Sequence, residues 1–353
     1  MTLSMRYLRK RAYEAWNYRL RTWGSGRWAH RCRPTSIVFS LTALCTARCV
    51  HCDIWKNKDK ENPPTVDQYK TVLRDLRDWL GSVQVTFSGG EALLKPYTPE
   101  LVAYGSSAGL FMEVLTHGYW EDQGKIERLA LANPWRVTVS FDGFGETHNK
   151  IRGRGGFFEY TSRSIETLLR VRRERKLHYT IQLKNVIMAH NLHDTTAVAK
   201  FASHEGMDVF YQPIEQNYNT PEDPRWFEHT DNWPKDTERV VQVIQALVRM
   251  KRDGYHIANS YAQLEAMIPY FRTPDALRVA TQAHSAHERT PTCNALTNLE
   301  LRANGDVIAC WGKPPVGNIK ERPVRNIWEN RPRWWSHGEC CLFRRCSEAE
   351  QNR

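Results

Sequence analysis

From residue 36 onward the apolar positions fall into a repeating unit: a short run rich in β-branched and aromatic residues, then a segment whose apolar residues recur every three or four positions. Residues 36–41, 83–87, 111–116, 136–142, 179–187 and 208–214 read as strands, and residues 65–80, 99–108, 123–131, 157–173 and 192–205 as the helices between them. Strands alternating with helices imply a parallel α/β sheet. Six units imply a partial (β/α)6 TIM barrel rather than the eight-unit closed form, and an open barrel leaves a lateral mouth for a large substrate.

The flanking segments break this rhythm. Residues 3–23 read as a basic amphipathic helix, with Leu8, Ala12, Ala15, Trp16, Leu20 and Trp23 at helical spacing. Such a helix either packs on the barrel or a sister subunit, or meets a membrane surface, an acidic partner or an acidic substrate. Gly24, Gly26 and Pro34 end it. Residues 215–236 lose periodicity and read as a loop leaving the barrel, or as a substrate lid. Helical spacing resumes over 237–251 and 260–271, and 273–290 has no assignment. Beyond that, residues 299–302 and 307–310 flank Ala303-Asn304-Gly305-Asp306 as a hairpin, followed by Gly317-Asn318-Ile319 and a Trp-rich helix near residues 327–335. The organisation expected is a basic helix and linker (1–35), the barrel (36–214), a linker with helices (215–290) and a small hairpin-plus-helix extension that binds a cluster (291–353).

Charge narrows the partners. The chain of 353 residues carries a net +11, but residues 1–33 hold nine Lys/Arg against one acid, Glu14, leaving only +3 for the rest. The body is therefore not a basic groove for nucleic acid. There is no long apolar span and the first residues are charged, so neither a membrane-spanning helix nor a secretory signal is expected, and a cytoplasmic location is. In a reducing compartment nine Cys are metal ligands before they are disulfides. Seven fall in two groups; Cys32 reads as a small buried hydrophobe, and one of Cys340 and Cys341 is left over.

The first group is Cys45, Cys49 and Cys52, spaced CxxxCxxC directly after the first strand, with no further Cys for more than forty residues. Three thiolates so spaced can hold three irons of a four-iron cluster and leave the fourth open, whereas a zinc knuckle wants a nearby fourth ligand. The other unusual residues also fall at strand carboxyl ends, where ligands sit in such sheets. Ser88-Gly89-Gly90-Glu91 follows strand 2, Thr116-His117-Gly118 ends strand 3, and Ser140-Phe141-Asp142-Gly143 ends strand 4 with His148 and Arg152 beyond. Asn185 lies late in strand 5, and Tyr211, Gln212-Pro213, Glu215 and Tyr218 lie around the end of strand 6. Any one of these alone is an ordinary turn. No general acid or base can be named: His117, His148 and Asp142 suit buried hydrogen-bonded roles equally. In the second group Cys293, Cys310, Cys346 and either Cys341 or Cys340 make four ligands, which suit a second cluster or a zinc ribbon.

Together these motifs, in this order, resemble the radical S-adenosylmethionine (radical SAM) superfamily with a SPASM or twitch extension, over residues 36–346. The resemblance implies a reducing 4Fe-4S cluster on Cys45, Cys49 and Cys52 whose open iron takes the amino and carboxylate groups of S-adenosylmethionine, with Gly89, Gly90 and Glu91 at the methionine ammonium. It puts His51 by the adenine, where relatives often carry an aromatic residue, Ser140 and Arg152 at the ribose or methionine carboxylate, and Asn185 at the adenosyl part. It implies reductive cleavage to a 5′-deoxyadenosyl radical that abstracts a substrate hydrogen, and an external electron donor such as flavodoxin or ferredoxin. Only five Cys follow residue 290, where a complete SPASM domain has about seven, so one auxiliary cluster, twitch-like, is expected.

Four functions compete. A small-metabolite enzyme, with the auxiliary cluster assisting electron transfer or substrate binding, is favoured because only 44 residues precede Cys45, too few for a fused peptide-recognition domain. The others are a maturase of a ribosomally made peptide, an enzyme acting on a lipid-linked substrate through the basic helix, and a non-catalytic scaffold, which the intact Cys triplet and GGE disfavour.

Overall fold

The computed structural model describes residues 3–22, 28–57, 61–217, 220–221, 223, 225–274, 296–310 and 313–332. Six parallel strands, β1 (Ser36–Thr42), β2 (Gln84–Gly89), β3 (Phe111–Thr116), β4 (Arg136–Ser140), β5 (Thr180–Ile187) and β6 (Asp208–Pro213), pair in sequence order. Helices α2 (Val66–Leu80), α3 (Thr98–Ala108), α4 (Gly124–Leu131), α6 (Phe157–Glu174) and α7 (Thr195–His204) connect them. This is the α/β partial barrel that the periodicity predicts.

Alternation along the strands separates two environments. Phe39, Leu41, Val85, Phe87, Val114, Val137, Val139, Ile181 and Leu183 face the helices and form the hydrophobic core. Helix α2 shows how the sequence supplies the other half. Thr65 and Gln68 cap each other reciprocally at its start, and Tyr69, Val72, Leu73, Leu76 and Leu80 are buried along one stripe. The intervening strand positions face the barrel interior and are mostly polar, with Val38, Leu115, Val186 and Phe210 as apolar exceptions. Glu113 sits at their centre, accepting from Gln84 (2.6 Å), Thr86 (2.9 Å), Arg136 (2.8 Å) and Thr138 (2.7 Å). Each donor comes from a neighbouring strand, and together they satisfy the carboxylate, which is how its burial is tolerated.

Helix α1 (Leu3–Thr22) lies across the amino ends of these strands. Lys10 reaches Gln84 at 3.4 Å and stands over the rings of Phe111 and Trp135, while Tyr13 donates to the Pro34 carbonyl at 2.6 Å. The packed side is thus Lys10, Tyr13, Asn17 and Leu20. Of the apolar stripe read from the sequence, Leu20 is buried, whereas Leu8, Ala12, Ala15 and Trp16 face solvent.

Two helices differ from expectation. A short helix α5 (Glu146–Arg152) follows strand 4, too brief for periodicity to reveal. The expected hairpin extension is present as β7 (Asn298–Leu301) and β8 (Asp306–Ile308), and β7 pairs in parallel with β1, so the hairpin and β9 (Gly317–Asn318) continue the barrel sheet into nine strands. The Trp-bearing helix is displaced toward the amino end. As α10 it spans Val324–Glu329, and Pro332, which cannot continue a helix, follows closely. Trp328 anchors it by donating to the Cys32 carbonyl at 3.0 Å. Helices α8 (Thr237–Arg252) and α9 (Tyr261–Arg272) follow the irregular segment after β6.

Candidate active site

The loop after β1 that carries the three cysteines is pinned from every side. Glu91 N–H donates to the Leu44 carbonyl (2.9 Å) and Gly90 N–H to the Thr42 carbonyl (2.7 Å). On the opposite flank Arg48 and Val50 donate to the carbonyls of Arg152 and Ile151 in α5, each at 3.0 Å. Asn232 reaches over from the segment beyond β6 to the Val50 carbonyl at 2.9 Å. Glu61 accepts from Thr42 and Ala43 (both 2.6 Å) and pairs with Lys95 at 2.6 Å. Cys45, Cys49 and Cys52 are each partly buried on this loop at the barrel rim.

Gly89 and Gly90 are there because the two loops touch. A Cβ on Gly89, at φ +112°, would lie 2.3 Å from the Thr42 oxygen, and one on Gly90 would lie 2.1 Å from the Leu44 oxygen. Glu91 is sealed from solvent; its carboxylate accepts from Leu93 N–H (3.0 Å) and His117 N–H (2.8 Å). Burial pushes its pKa up to about 7. His117 takes an N–H from Tyr119 on Nδ1 (2.9 Å), so its proton sits on Nε2, which faces the Thr46 hydroxyl at 2.9 Å. Burial holds the ring neutral, with a pKa lowered to about 3.

Across the rim, Arg152 bridges two groups. One arm forms a 2.6 Å ion pair with Asp142 and the other points at the Cys49 sulfur at 3.6 Å. Burial works against both charges, but the pair outweighs it: Arg152 is held above its ordinary range and Asp142 below its own. Asp142 also accepts from Val186 N–H (3.0 Å) and donates its own N–H to His148 Nδ1 (3.1 Å). This chain of contacts ties β4, α5, β5 and the cysteine loop into one unit.

The structure brings most of the residues singled out from the sequence to this rim and separates others. Ser140 ends β4 on the interior-facing side, in register with Lys184 of β5. Asn185 alternates with Lys184 and so shares the helix-facing side of Ile181 and Leu183, donating to the Phe141 carbonyl at 3.0 Å. Lys184 is thus the interior-facing member of that pair, and sequence reasoning missed it; its signal was that it is the one ionisable residue of that strand. Its ammonium makes no hydrogen bond or ion pair with any described residue, and burial lowers its pKa. Tyr211 is buried and donates to the Thr195 carbonyl, which turns it away from the interior. Cys310 follows β8, whereas Cys293, Cys340, Cys341, Cys346 and Tyr218 lie outside the described residues.

These residues fit an iron–sulfur cluster with a polar organic ligand. The donor set is three thiols on one pinned loop, and beside it His51 Nδ1, His148 Nε2 and Arg152 Nε are buried polar atoms with no hydrogen-bond partner among the described residues. Buried polar atoms left open at a site call for a ligand to satisfy them. Burial raises the thiol pKa values, that of Cys45 to about 12, so iron coordination is what would hold them as thiolates.

The comparisons agree with this chemistry. Residues 39–189 match the model of the radical SAM superfamily, and residues 293–351 match SPASM, an iron–sulfur cluster-binding domain. An AdoMet-dependent heme synthase of Methanosarcina barkeri is 28% identical over 312 residues, covering 84% of this chain and 82% of that protein. The sporulation killing factor maturation protein SkfB of Bacillus subtilis is 31% identical over 136 residues, covering 38% of this chain and 33% of its own. Among solved structures, Streptococcus suis SuiB bound to S-adenosylmethionine superimposes with a TM-score of 0.65 at 14% identity, covering 86% of this chain and 68% of that one; that likeness is one of fold. With the thiol-bearing loop, the six-stranded partial barrel and both family matches in agreement, the chain belongs to the radical SAM superfamily and is an enzyme of that family with a carboxyl-terminal SPASM domain.

Proposed function

We propose that this enzyme abstracts a hydrogen atom from a small-metabolite substrate held in the polar barrel interior, using S-adenosylmethionine and a 4Fe-4S cluster on Cys45, Cys49 and Cys52. When bound, that pair supplies a carbon-centred radical by one-electron reductive cleavage. The observation that carries the reading is the pinned cysteine loop with open buried polar atoms beside it. The chain's own residues then have distinct tasks. Gly89 and Gly90 allow loop contact, Glu91 fixes the ends of β2 and β3 against each other, and Arg152 holds Cys49 and Asp142 together. His51, Ser140 and Arg152 Nε meet the cofactor's polar groups, Asn185 supports this wall from behind, and Lys184 meets an anionic group of the substrate. An auxiliary 4Fe-4S cluster on Cys293, Cys310, Cys346 and either Cys341 or Cys340 assists electron transfer or substrate binding, and a flavodoxin or ferredoxin type donor supplies the electron.

Small-metabolite chemistry is favoured over peptide maturation because similarity to the heme synthase covers 84% of this chain, whereas that to SkfB covers 38%. The test is anaerobic reconstitution with dithionite and S-adenosylmethionine. We expect about eight irons per chain for two clusters and release of 5′-deoxyadenosine that ceases when Cys45, Cys49 and Cys52 are replaced by Ala. Absence of 5′-deoxyadenosine from the iron-loaded protein, even with candidate substrates, would end the catalytic reading. Activation by a precursor peptide but not by iron porphyrins or other small metabolites would end the substrate assignment.

A further inference from the structure

The two sides of α1 are used in opposite ways. The side against the barrel is polar, with Lys10, Tyr13 and Asn17 each held by a hydrogen bond. The outward side carries Met5, Leu8, Ala12, Ala15 and Trp16, at helical spacing and all exposed; Leu8 keeps 67% of its surface and Trp16 58%. A soluble helix normally turns such a stripe inward. Here the helix meets the amino ends of the strands through those polar contacts, and the apolar stripe is left facing outward.

Charge identifies the occupant. Arg9 and Arg11 flank the stripe on opposite sides and Arg19 lies within it, all exposed, with Tyr7 and Tyr18 at one border. The one acid of the helix, Glu14, is on the packed side, 3.8 Å from Lys10 and 3.7 Å from Arg11. Just beyond, Trp28 is exposed with the Arg31 guanidinium 4.4 Å over its ring. An apolar stripe with Trp, bordered by Tyr and Arg and free of carboxylates, matches an interface with hydrocarbon below and anionic headgroups at its edge. A second copy of the chain is a poor match, because a two-fold contact through this face would set its arginines against themselves.

We propose that the outward face of α1 docks the enzyme on an anionic lipid surface, with the helix lying in the interface plane. Lys10 contacts Gln84 at the start of β2, while the cysteine loop follows the end of β1, so α1 and the cysteines are at opposite ends of the barrel. Docking therefore leaves the cysteine rim facing away from the lipid, open to substrate and electron donor. The inference is independent of which substrate the enzyme uses.

Flotation of the full, iron-loaded protein with vesicles tests it. Wild type should be recovered with phosphatidylglycerol-containing vesicles about tenfold more than with pure phosphatidylcholine, and salt should weaken that recovery. Leu8→Ser with Trp16→Ser should abolish flotation, and Arg9→Gln with Arg11→Gln should remove the preference for anionic lipid. Both pairs should keep wild-type iron content and 5′-deoxyadenosine release. Wild type that stays at the bottom of the gradient, or a Leu8/Trp16 variant that floats equally well, would overturn the proposal. So would a concentration-dependent dimer lost in the same variant, which would assign the face to a second copy.

Discussion

The guanidinium of Arg152 meets the carboxylate of Asp142 at 2.6 Å, with both side chains buried. A buried pair is weak evidence of net stabilisation, but removing one partner strands the other charge in a low dielectric. Arg152→Met should therefore destabilise the fold by about 3–5 kcal/mol, and adding Asp142→Asn should restore more than half of that loss. Thermal unfolding of the single and double variants measures both. A single variant within ~1 kcal/mol of wild type would show that the pair does not hold α5 to the rim.

Gly90 gives a second test. The Cβ of Gly90→Ala would fall 2.1 Å from a backbone oxygen of the cysteine loop, an atom that cannot rotate aside. The loop must move, and three thiols positioned by it move too. We expect iron content after reconstitution to drop by at least about half, with residual 5′-deoxyadenosine release lower still. Gly145→Ala is the control, since a Cβ there meets nothing within 4 Å and, at φ +49°, only backbone strain is added. Equal iron loading of the Gly90 variant and wild type would refute the account.

The strands and most helices were legible because periodicity, caps and turn residues agree along the barrel; β3 (Phe111–Thr116) has the bounds read from its apolar run. What the sequence concealed depends on contacts far apart in the chain. The Glu113 network draws on three strands, and the parallel pairing of β7 with β1 joins residues more than 260 positions apart. Leu8 and Trp16 were legible as an apolar stripe, but amphipathicity does not say which side is packed, and here the polar side is. Asn185 illustrates the period-two hazard: a one-residue difference in strand phase decides between the helix layer and the barrel interior, where Lys184 stands.

Acidity should weaken the fold through the neutral buried imidazoles. His117 and His148 titrate normally near 6.5 but are held down to about 3 by burial, so between those values the unfolded chain binds protons that the folded one does not. Their contribution to stability is present above pH 6.5 and is lost as pH falls toward 3. Glu91, raised by burial from 4.5 to about 7, acts oppositely, because the fold keeps a proton there that the unfolded chain releases. Subtracting a His148→Gln variant isolates one imidazole. The advantage of wild type over the variant should shrink by up to about 1.4 kcal/mol per pH unit as pH falls from 6 to 4, followed anaerobically by thermal midpoint. A constant difference across that range would mean that His148 is charged in the fold.

Lys184 separates a requirement of function from one of folding. Its ammonium stands on the interior wall without a hydrogen bond or ion pair among the described residues, and burial lowers its pKa. The Glu215 carboxylate partly opposes this, and the Arg152 charge adds to it. A fold gains nothing from an unpaired desolvated cation, and a chain of similar length without the charge suits the same wall better. Lys184→Met should raise stability by about 1–2 kcal/mol near neutral pH, the gain being modest because the side chain keeps some contact with solvent. A base with a depressed pKa destabilises the fold while it is protonated. The gain should therefore fade as pH rises into the range where the folded lysine loses its proton. The same variant should keep its iron and its basal 5′-deoxyadenosine release yet lose the increase that substrate brings. A lower thermal midpoint for Lys184→Met would instead make Lys184 a structural residue, with its charge compensated inside the barrel.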